Sequence, residues 1–497
     1  MASIKPSKRL VILCDGTWCG RETNTQSNIF KLASMIGPVQ YLSSPSTEPT
    51  AVHPIRSPHP NVTAGYQEGI GLNKTFLEYL WDGTTASTIA EECVSVYKFI
   101  VDNYTDDHEI WLFGLSRGAY TVRCVAGMVN NCGIIKKQPS LSTSDISTLC
   151  EEVYRTYRSP LDIDHPSSDR CKYLRNNSKR VWPVESPVKF MGLFDTVGSL
   201  GIPRLNAGIG FDWPEFYDQK VSSVVQHVHH AVGLHDRLWI FQPCLAFPSK
   251  SHGEDEAKPW PKIHQKWFPG THYDLGRQAF RFIRHGPANA LEKLLGTFPD
   301  LLSKTIYPNH VLADLVLRWM LESIASHDTD NLIIPDITSH IGNINKQLAF
   351  PSSIQPVGPT GSGDVYGDVL SYGPAGSLFT PLMQFGSKAV SLLNHVVPKL
   401  GDNIQDLLGI KTILRILTAV RDRRVPEYRN GYGGEGDVYP YKETESVQVA
   451  GIMKQISILQ QARIAENSER GEVRYPSQTF ERWVLWWRVF GGQRSLL

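Results

Sequence analysis

Ser116 has the sequence neighbours of a catalytic nucleophile. It stands in Gly114-Leu-Ser-Arg-Gly118, a G-x-S-x-G pattern, between an apolar run at residues 110–113 and a helix-like run at 119–130. A tight strand-to-helix turn needs glycine two residues before and after the serine, and it presents the hydroxyl at the start of the helix. A helix N-terminus also favours negative charge nearby. The pattern predicts acyl-transfer chemistry at Ser116. The alternative is a βα turn whose glycines only allow close packing.

Two further residues could complete this chemistry, which needs a base and a carboxylate that orients the base. Asp195 follows an apolar run at 188–194, and His272 follows another at 263–268. With Ser116 they have the chain order serine, acid, histidine of the nucleophile-elbow hydrolases. The alternatives are a helix cap or strand-end turn for Asp195 and a hydrogen-bonded loop histidine for His272.

The stretch Asp15-Gly-Thr17 ends the first apolar run of the chain. By position this loop should supply one backbone donor of an oxyanion hole, from Gly16 or Thr17, while the N–H of Arg117 supplies the other. We favour Asp15 as a carboxylate that orients the loop. It could also be the triad acid, or a phosphatase nucleophile. The phosphatase chemistry wants a second acid two residues away, where Leu13 and Thr17 stand.

The elements that must position these residues follow from hydrophobic periodicity. Short apolar runs that alternate with helix-like stretches predict an α/β fold with a mostly parallel central sheet, in which the carboxyl ends of the strands meet at one edge. We expect strands at residues 10–14, 110–113, 188–194, 238–242 and 263–268, and helices at 24–36, 85–104, 119–130, 221–232 and 311–325. Residues 42–64 are rich in Ser, Pro and Thr, which predicts a surface loop.

Five segments also carry a family resemblance, and they lie at residues 15–17, 114–133, 190–198, 230–237 and 267–276. They resemble motifs of an α/β-hydrolase family that includes the catalytic domain of bacterial type VI secretion phospholipase effectors and many fungal proteins. The resemblance covers roughly residues 8–335. It implies an α/β-hydrolase fold, site residues Ser116, Asp195 and His272, no cofactor, and an ester or phospholipid substrate.

The sequence departs from the family pattern at two places. Leu115 stands where phenylalanine is usual. Arg277 and Gln278 follow Gly276, where the family often continues with a glycine-rich turn. The second departure leaves the shape of the neighbouring pocket open.

A second polar cluster runs from His227 to Asp236. On the helix expected there, His227 and His230 would share a face, so a metal site is conceivable. Since no Cys or Glu completes a ligand set at the usual spacing, we predict no metal. The cluster nevertheless defines an alternative function, a metal-dependent phosphohydrolase that would also use Asp15 and Asp195.

Two arginines of the elbow helix, Arg117 and Arg123, could bind a phosphate head group. The alternative is that both form ion pairs within the fold.

Bulk composition excludes several classes of protein. The chain has 497 residues, with 50 Lys+Arg against 49 Asp+Glu, so no basic field indicates a nucleic-acid partner. No run of about 18 apolar residues predicts a transmembrane helix. The N-terminal segment leads directly into a strand and lacks the pattern of a signal peptide. The eight cysteines are scattered without a C-x-x-C pair, which predicts reduced thiols in a cytoplasmic protein.

The chain is long enough for more than one unit. We predict a catalytic domain at residues 1–345 with an insertion at about 137–182, a Gly/Pro/Ser-rich linker or lid at 346–380, and a mainly helical accessory region at 381–497. The C-terminal segment contains four aromatic residues at spacings of three and four, Trp483, Trp486, Trp487 and Phe490. This pattern is typical of a helix that packs in a core or of one that contacts a membrane surface. A non-catalytic membrane- or protein-binding module on the same fold is therefore a further alternative.

Overall fold

The computed structural model describes part of the chain. The described residues are 6–21, 26–43, 48–69, 85–183, 185–197, 220–221, 223–234, 236, 241, 243–248, 261–281 and 305–349. The predictions for the linker or lid, the accessory region and the C-terminal aromatic residues lie outside these ranges, apart from residues 346–349. The last described helix, Ile337–Ala349, extends across residue 345, which is the predicted end of the catalytic domain. The domain boundaries stay predictions.

A seven-stranded sheet forms the centre of the described structure. In chain order its strands are β1 Lys8–Cys14, β2 Val52–Ile55, β3 Val62–Gln67, β4 His108–Leu115, β5 Val188–Phe194, β6 Val225–Gly233 and β7 Lys262–Phe268. Their order across the sheet is β2-β3-β1-β4-β5-β6-β7. All neighbours are parallel except β2, which pairs antiparallel with β3 at one edge. The fold is therefore α/β with a mostly parallel sheet, as the sequence predicts.

Helices cover both faces of this sheet. They are α1 Asn28–Ile36, α2 Thr85–Asn103, α3 Arg117–Cys132, α4 Thr143–Arg158, α5 Asp169–Asn176, α6 His272–Gly276, α7 His310–His327 and α8 Ile337–Ala349. The expected insertion contains α4 and α5, together with a short 3₁₀ turn at Asp162–Asp164. Two short strand pairs join Lys220–Val221 to Phe247–Pro248 and Phe280–Arg281 to Thr305–Ile306. Within the described residues, no helix is long and apolar enough to span a membrane.

The first strand shows why its residues are apolar without interruption. Leu10 and Ile12 belong to the core cluster beneath α2, α3 and α4. Val11 and Leu13 belong to the core cluster on the opposite face, with α1, α7 and α8. Since a strand turns successive side chains to opposite faces, a strand covered on both faces needs an apolar residue at every position.

Two sequence-based predictions of secondary structure are wrong. The expected loop at residues 42–64 contains β2 and the first half of β3. Proline at position 54 is tolerated because β2 is an edge strand. The expected helix at 221–232 is instead the strand Val225–Gly233. Its valines, Val225, Val228 and Val232, are buried and stand three and four residues apart, which also fits a helix, so spacing alone could not separate helix from strand.

Candidate active site

Ser116 lies in a sharp turn between β4 and α3. Its backbone has φ 57° and ψ −117°, a region that residues other than glycine rarely adopt. A Cβ at Gly114 would lie 2.5 Å from the backbone N of Ala119, and a Cβ at Gly118 would lie 2.2 Å from the carbonyl O of Cys14. Both supporting positions therefore require glycine, and the sequence-predicted elbow geometry is present.

The structure brings Ser116, His272 and Asp195 into one hydrogen-bonded row. The Oγ of Ser116 lies 2.8 Å from Nε2 of His272, and Nδ1 of His272 lies 2.6 Å from Oδ2 of Asp195. All three side chains are buried. An ionised carboxylate only accepts, so Nδ1 carries the proton and Nε2 is left to accept from the serine hydroxyl. The catalytic roles of the three residues stay a prediction at this point.

Several contacts fix the position of His272 at the start of α6. Its backbone N–H donates to Oδ2 of Asp236 at 2.9 Å, and its ring stacks on Phe241 with centroids 4.5 Å apart. Thr271 and Asp274 form a capping box around the first turn of α6. Sequence reasoning placed Asp236 only in the polar cluster and missed this contact, because 36 residues separate the two partners.

The acid is held by the turn after β5. Asp195 has φ 42°, and its Oδ1 accepts from the N–H of Gly233 at 2.8 Å. The next residue, Thr196, donates its N–H to Nε2 of His230 at 3.2 Å, and Nδ1 of His230 lies 2.8 Å from Oε1 of Gln265. His230 therefore supports the turn that carries Asp195.

The loop after β1, residues 15–19, is the one predicted to supply a donor of an oxyanion hole, and we call it the oxyanion loop. Asp15 in this loop accepts hydrogen bonds from the Gly16 N–H at 2.8 Å, the Ser27 hydroxyl at 2.6 Å and the Tyr66 hydroxyl at 2.7 Å. Burial raises the pKa of Asp15 to about 6, although these donors act in the opposite direction. The carboxylate therefore connects its own loop to the start of α1 and to β3, and its role in orienting the loop stays a prediction.

The two arginines of α3 contact the fold itself. Nε of Arg117 donates to Oε2 of Glu92 at 3.1 Å, and Nη1 of Arg123 donates to the carbonyl O of Cys244 at 2.6 Å. Burial raises the pKa of Glu92, and the charge of Arg117 counteracts that rise. Arg117 thus forms an ion pair within the fold, as the alternative states, whereas this contact of Arg123 is a hydrogen bond to a backbone carbonyl.

His227 and His229 belong to an aromatic cluster with His264 and His327. Because residues 225–233 are a strand, His227 shares a face with His229 and not with His230, so the expected helical pairing is wrong. The His229 ring stacks between Phe190 and His264, at 4.9 and 4.7 Å. Burial, reinforced by neighbouring histidines, lowers the pKa of His229 to about 2. Among the described residues, no group of three or more His, Cys, Asp or Glu could hold a metal ion.

A parallel sheet flanked by helices, with a strained serine at a strand-to-helix turn beside a histidine and an aspartate, defines the class of α/β hydrolase-like folds. The model of one family, described as the type VI secretion system phospholipase effector Tle1-like catalytic domain, matches residues 8–323. The chain belongs to this family.

Individual relatives are distant. The uncharacterized protein YEL023C of Saccharomyces cerevisiae is 27% identical over 199 residues, which cover 37% of this chain and 27% of that protein. The chain thus spans about a quarter of the length of this relative. A Tle1 effector bound to the VgrG spike of the type 6 secretion system is 15% identical, with a TM-score of 0.29, over 71% of this chain and 81% of that one. An uncharacterized protein from Pseudomonas aeruginosa is 12% identical, with a TM-score of 0.30, over 71% and 52%.

Proposed function

We propose that this chain is a serine hydrolase that cleaves a carboxylic ester, with phospholipids as the substrate class. The observation that supports the proposal most is the row of hydrogen bonds from Ser116 through His272 to Asp195, at 2.8 and 2.6 Å. A hydroxyl is a weak nucleophile until an adjacent base takes its proton, and this row provides the base and the group that orients it.

In the first proposed step, Oγ of Ser116 attacks the ester carbonyl carbon while Nε2 of His272 takes the hydroxyl proton. The carbonyl electron pair moves onto oxygen, where backbone N–H groups of the oxyanion loop and of the first turn of α3 stabilise the charge. When the tetrahedral intermediate collapses, the bond to the alcohol breaks and the imidazolium returns its proton to the leaving oxygen. Asp195 stabilises the imidazolium throughout.

Water completes the proposed reaction. His272 takes a proton from a water molecule, whose oxygen attacks the acyl carbon on Ser116. When the second tetrahedral intermediate collapses, the bond to the serine oxygen breaks, the carboxylic acid leaves, and the imidazolium returns its proton to the serine oxygen. The enzyme is thereby restored, and every proton passes through one imidazole.

The phospholipid part of the proposal rests on the family, whose description names a phospholipase effector. Such a substrate lies in a membrane, so we also propose peripheral contact with the membrane surface. The eight cysteines are buried free thiols, which supports a reducing, cytoplasmic location for that contact.

Labelling with a fluorophosphonate probe tests the proposal, because the probe reacts with activated serines. We expect the label on the peptide that contains Ser116, and we expect Ser116→Ala to abolish it. Ser34→Ala is the matched control, since this exposed serine on α1 lies outside the site. Well-folded wild-type protein that takes no label, with and without phospholipid vesicles, would favour a non-catalytic binding module. Loss of ester hydrolysis in chelator would favour the metal-dependent alternative.

A further inference from the structure

We infer that Gln278 is a positioning residue for the oxyanion loop and that the Thr17 N–H is the donor which this loop directs at the oxyanion. The inference rests on the proposed ester hydrolysis. It adds the identity of the donor and the residue that holds the donor in place.

The backbone N–H of the neighbouring residue, Gly16, already has a hydrogen-bond acceptor. Its N–H donates to Oδ1 of Asp15 at 2.8 Å, so it is not free for an oxyanion. The Thr17 N–H, in contrast, has no hydrogen-bond partner within the part of the chain that the structure describes. The loop also lies directly against the nucleophile, because a Cβ at Gly16 would be 3.3 Å from Cβ of Ser116. A free backbone donor beside a nucleophilic oxygen is the element that an oxyanion hole requires.

The peptide units on both sides of the Thr17 Cα are held. The carbonyl O of Gly16 accepts from the Cys19 N–H at 3.0 Å, which closes a turn. The carbonyl O of Thr17 accepts from Nε2 of Gln278 at 2.5 Å. The bond from Cys19 fixes the Gly16–Thr17 peptide plane, which contains the Thr17 N–H. The bond from Gln278 fixes the Thr17–Trp18 peptide plane. Rotation about the Thr17 Cα is therefore restrained. Gln278 therefore helps to set the direction of the N–H.

Gln278 is itself held firmly. Its side chain is 2% exposed, and its backbone N–H donates to the carbonyl O of Tyr273 at 2.9 Å. The preceding residue, Arg277, has φ 55°, and its guanidinium contacts Asp314 and Oδ1 of Asn28. Polar groups with so little freedom of movement suit a positioning role, because a loose donor would not restrain the loop.

The segment from His272 to Gln278 thus serves two parts of the site. Its first residue approaches Oγ of Ser116, and its last residue holds the oxyanion loop.

The test compares ester and thionoester substrates in wild type and Gln278→Leu. A thiocarbonyl sulfur accepts hydrogen bonds poorly, so an intact oxyanion hole favours the oxygen ester. We expect Gln278→Leu to lower kcat for the oxygen ester about 10-fold with little change in KM, less than the roughly 10²–10³-fold cost of deleting a donor. The ratio of ester to thionoester rates should fall in parallel.

Asn131→Ala is the matched control. It removes another buried amide that donates to a distant backbone carbonyl, that of Asp164 at 2.9 Å, and neither residue belongs to the site or to the segment that holds Gln278. It should lower the melting temperature and leave the rate ratio unchanged. If Gln278→Leu fails to fold, the same ratio is measured on Gln278→Asn, which keeps the amide but shortens its reach.

The outcomes separate the two proposals. An unchanged rate ratio in folded Gln278 variants of an active enzyme would overturn the positioning role and leave the proposed function intact. Wild-type protein that hydrolyses neither ester would overturn the proposed function and, with it, this inference.

Discussion

Replacing Asp195 by asparagine would change one atom of the site and reverse the proton arrangement of His272. The Oδ1 of Asp195 accepts from the Gly233 N–H at 2.8 Å, so an asparagine oxygen would keep that place. The amide NH₂ would then face Nδ1 of His272, where Oδ2 now lies at 2.6 Å. Because both groups cannot donate, the imidazole proton would move to Nε2, and His272 could no longer accept from Ser116.

A wrong tautomer of this kind costs about 10⁴-fold in kcat, which corresponds to about 5 kcal/mol of transition-state stabilisation. We expect Asp195→Asn to lose about that much activity and to fold like the wild type. The assay is steady-state hydrolysis of a soluble chromogenic ester, with thermal unfolding measured in parallel.

Asp236→Asn is the matched control, because Asp236 contacts the backbone of His272 and not its ring. An asparagine oxygen can still accept from that N–H, so we expect a loss of less than about 10-fold. A larger loss in Asp236→Asn than in Asp195→Asn would refute the assignment of Asp195 as the orienting acid. Equal and small losses in both would refute the triad mechanism.

Two further predictions concern stability and its dependence on pH. Tyr66→Phe removes a buried hydrogen bond to Asp15, and we expect a loss of about 1.5–3 kcal/mol at pH 8 that shrinks below about pH 6, where Asp15 becomes protonated. Urea unfolding at pH 8 and pH 5 measures the loss, and an equal loss at both values would contradict the role of the carboxylate. His229 has a pKa of about 2 in the folded state, below its usual 6.5, so unfolding takes up a proton and stability falls as pH drops below about 6.5. His229→Phe should make this decline shallower by about 1.4 kcal/mol per pH unit, and an identical decline in both proteins would show that His229 does not contribute.

The parts of the fold that could be predicted are those in which the local sequence pattern fits only one type of secondary structure. The strands β1, β4 and β5 are covered on both faces, so their unbroken apolar runs indicated them directly. The apolar residues of β6 are interrupted by Gln226 and three histidines, and its valines also fit helical spacing. Its pairing with β5 and β7 makes this segment a strand and not a helix. Such pairing joins residues that are distant in sequence, so local spacing does not reveal it.

The site divides in the same way. Ser116, Asp195 and His272 each follow a strand, so a parallel sheet predicts that they meet at one edge. Gln278 and Asp236 gave no comparable signal. Gln278 lies 261 residues from the carbonyl that it holds, and the sequence showed only that it departs from the family pattern at that position. Contacts made by a buried polar side chain over such a separation depend on the packed structure and not on spacing.

The measurement that tests the central claim most directly is a search for the acyl-enzyme. Wild-type protein is mixed with excess ester of a defined acyl chain, quenched in acid within the first turnovers, and mapped by peptide mass spectrometry. The account predicts a Ser116 peptide heavier by the mass of the acyl group, absent in Ser116→Ala. Product formation without an acylated Ser116 peptide would contradict the serine mechanism.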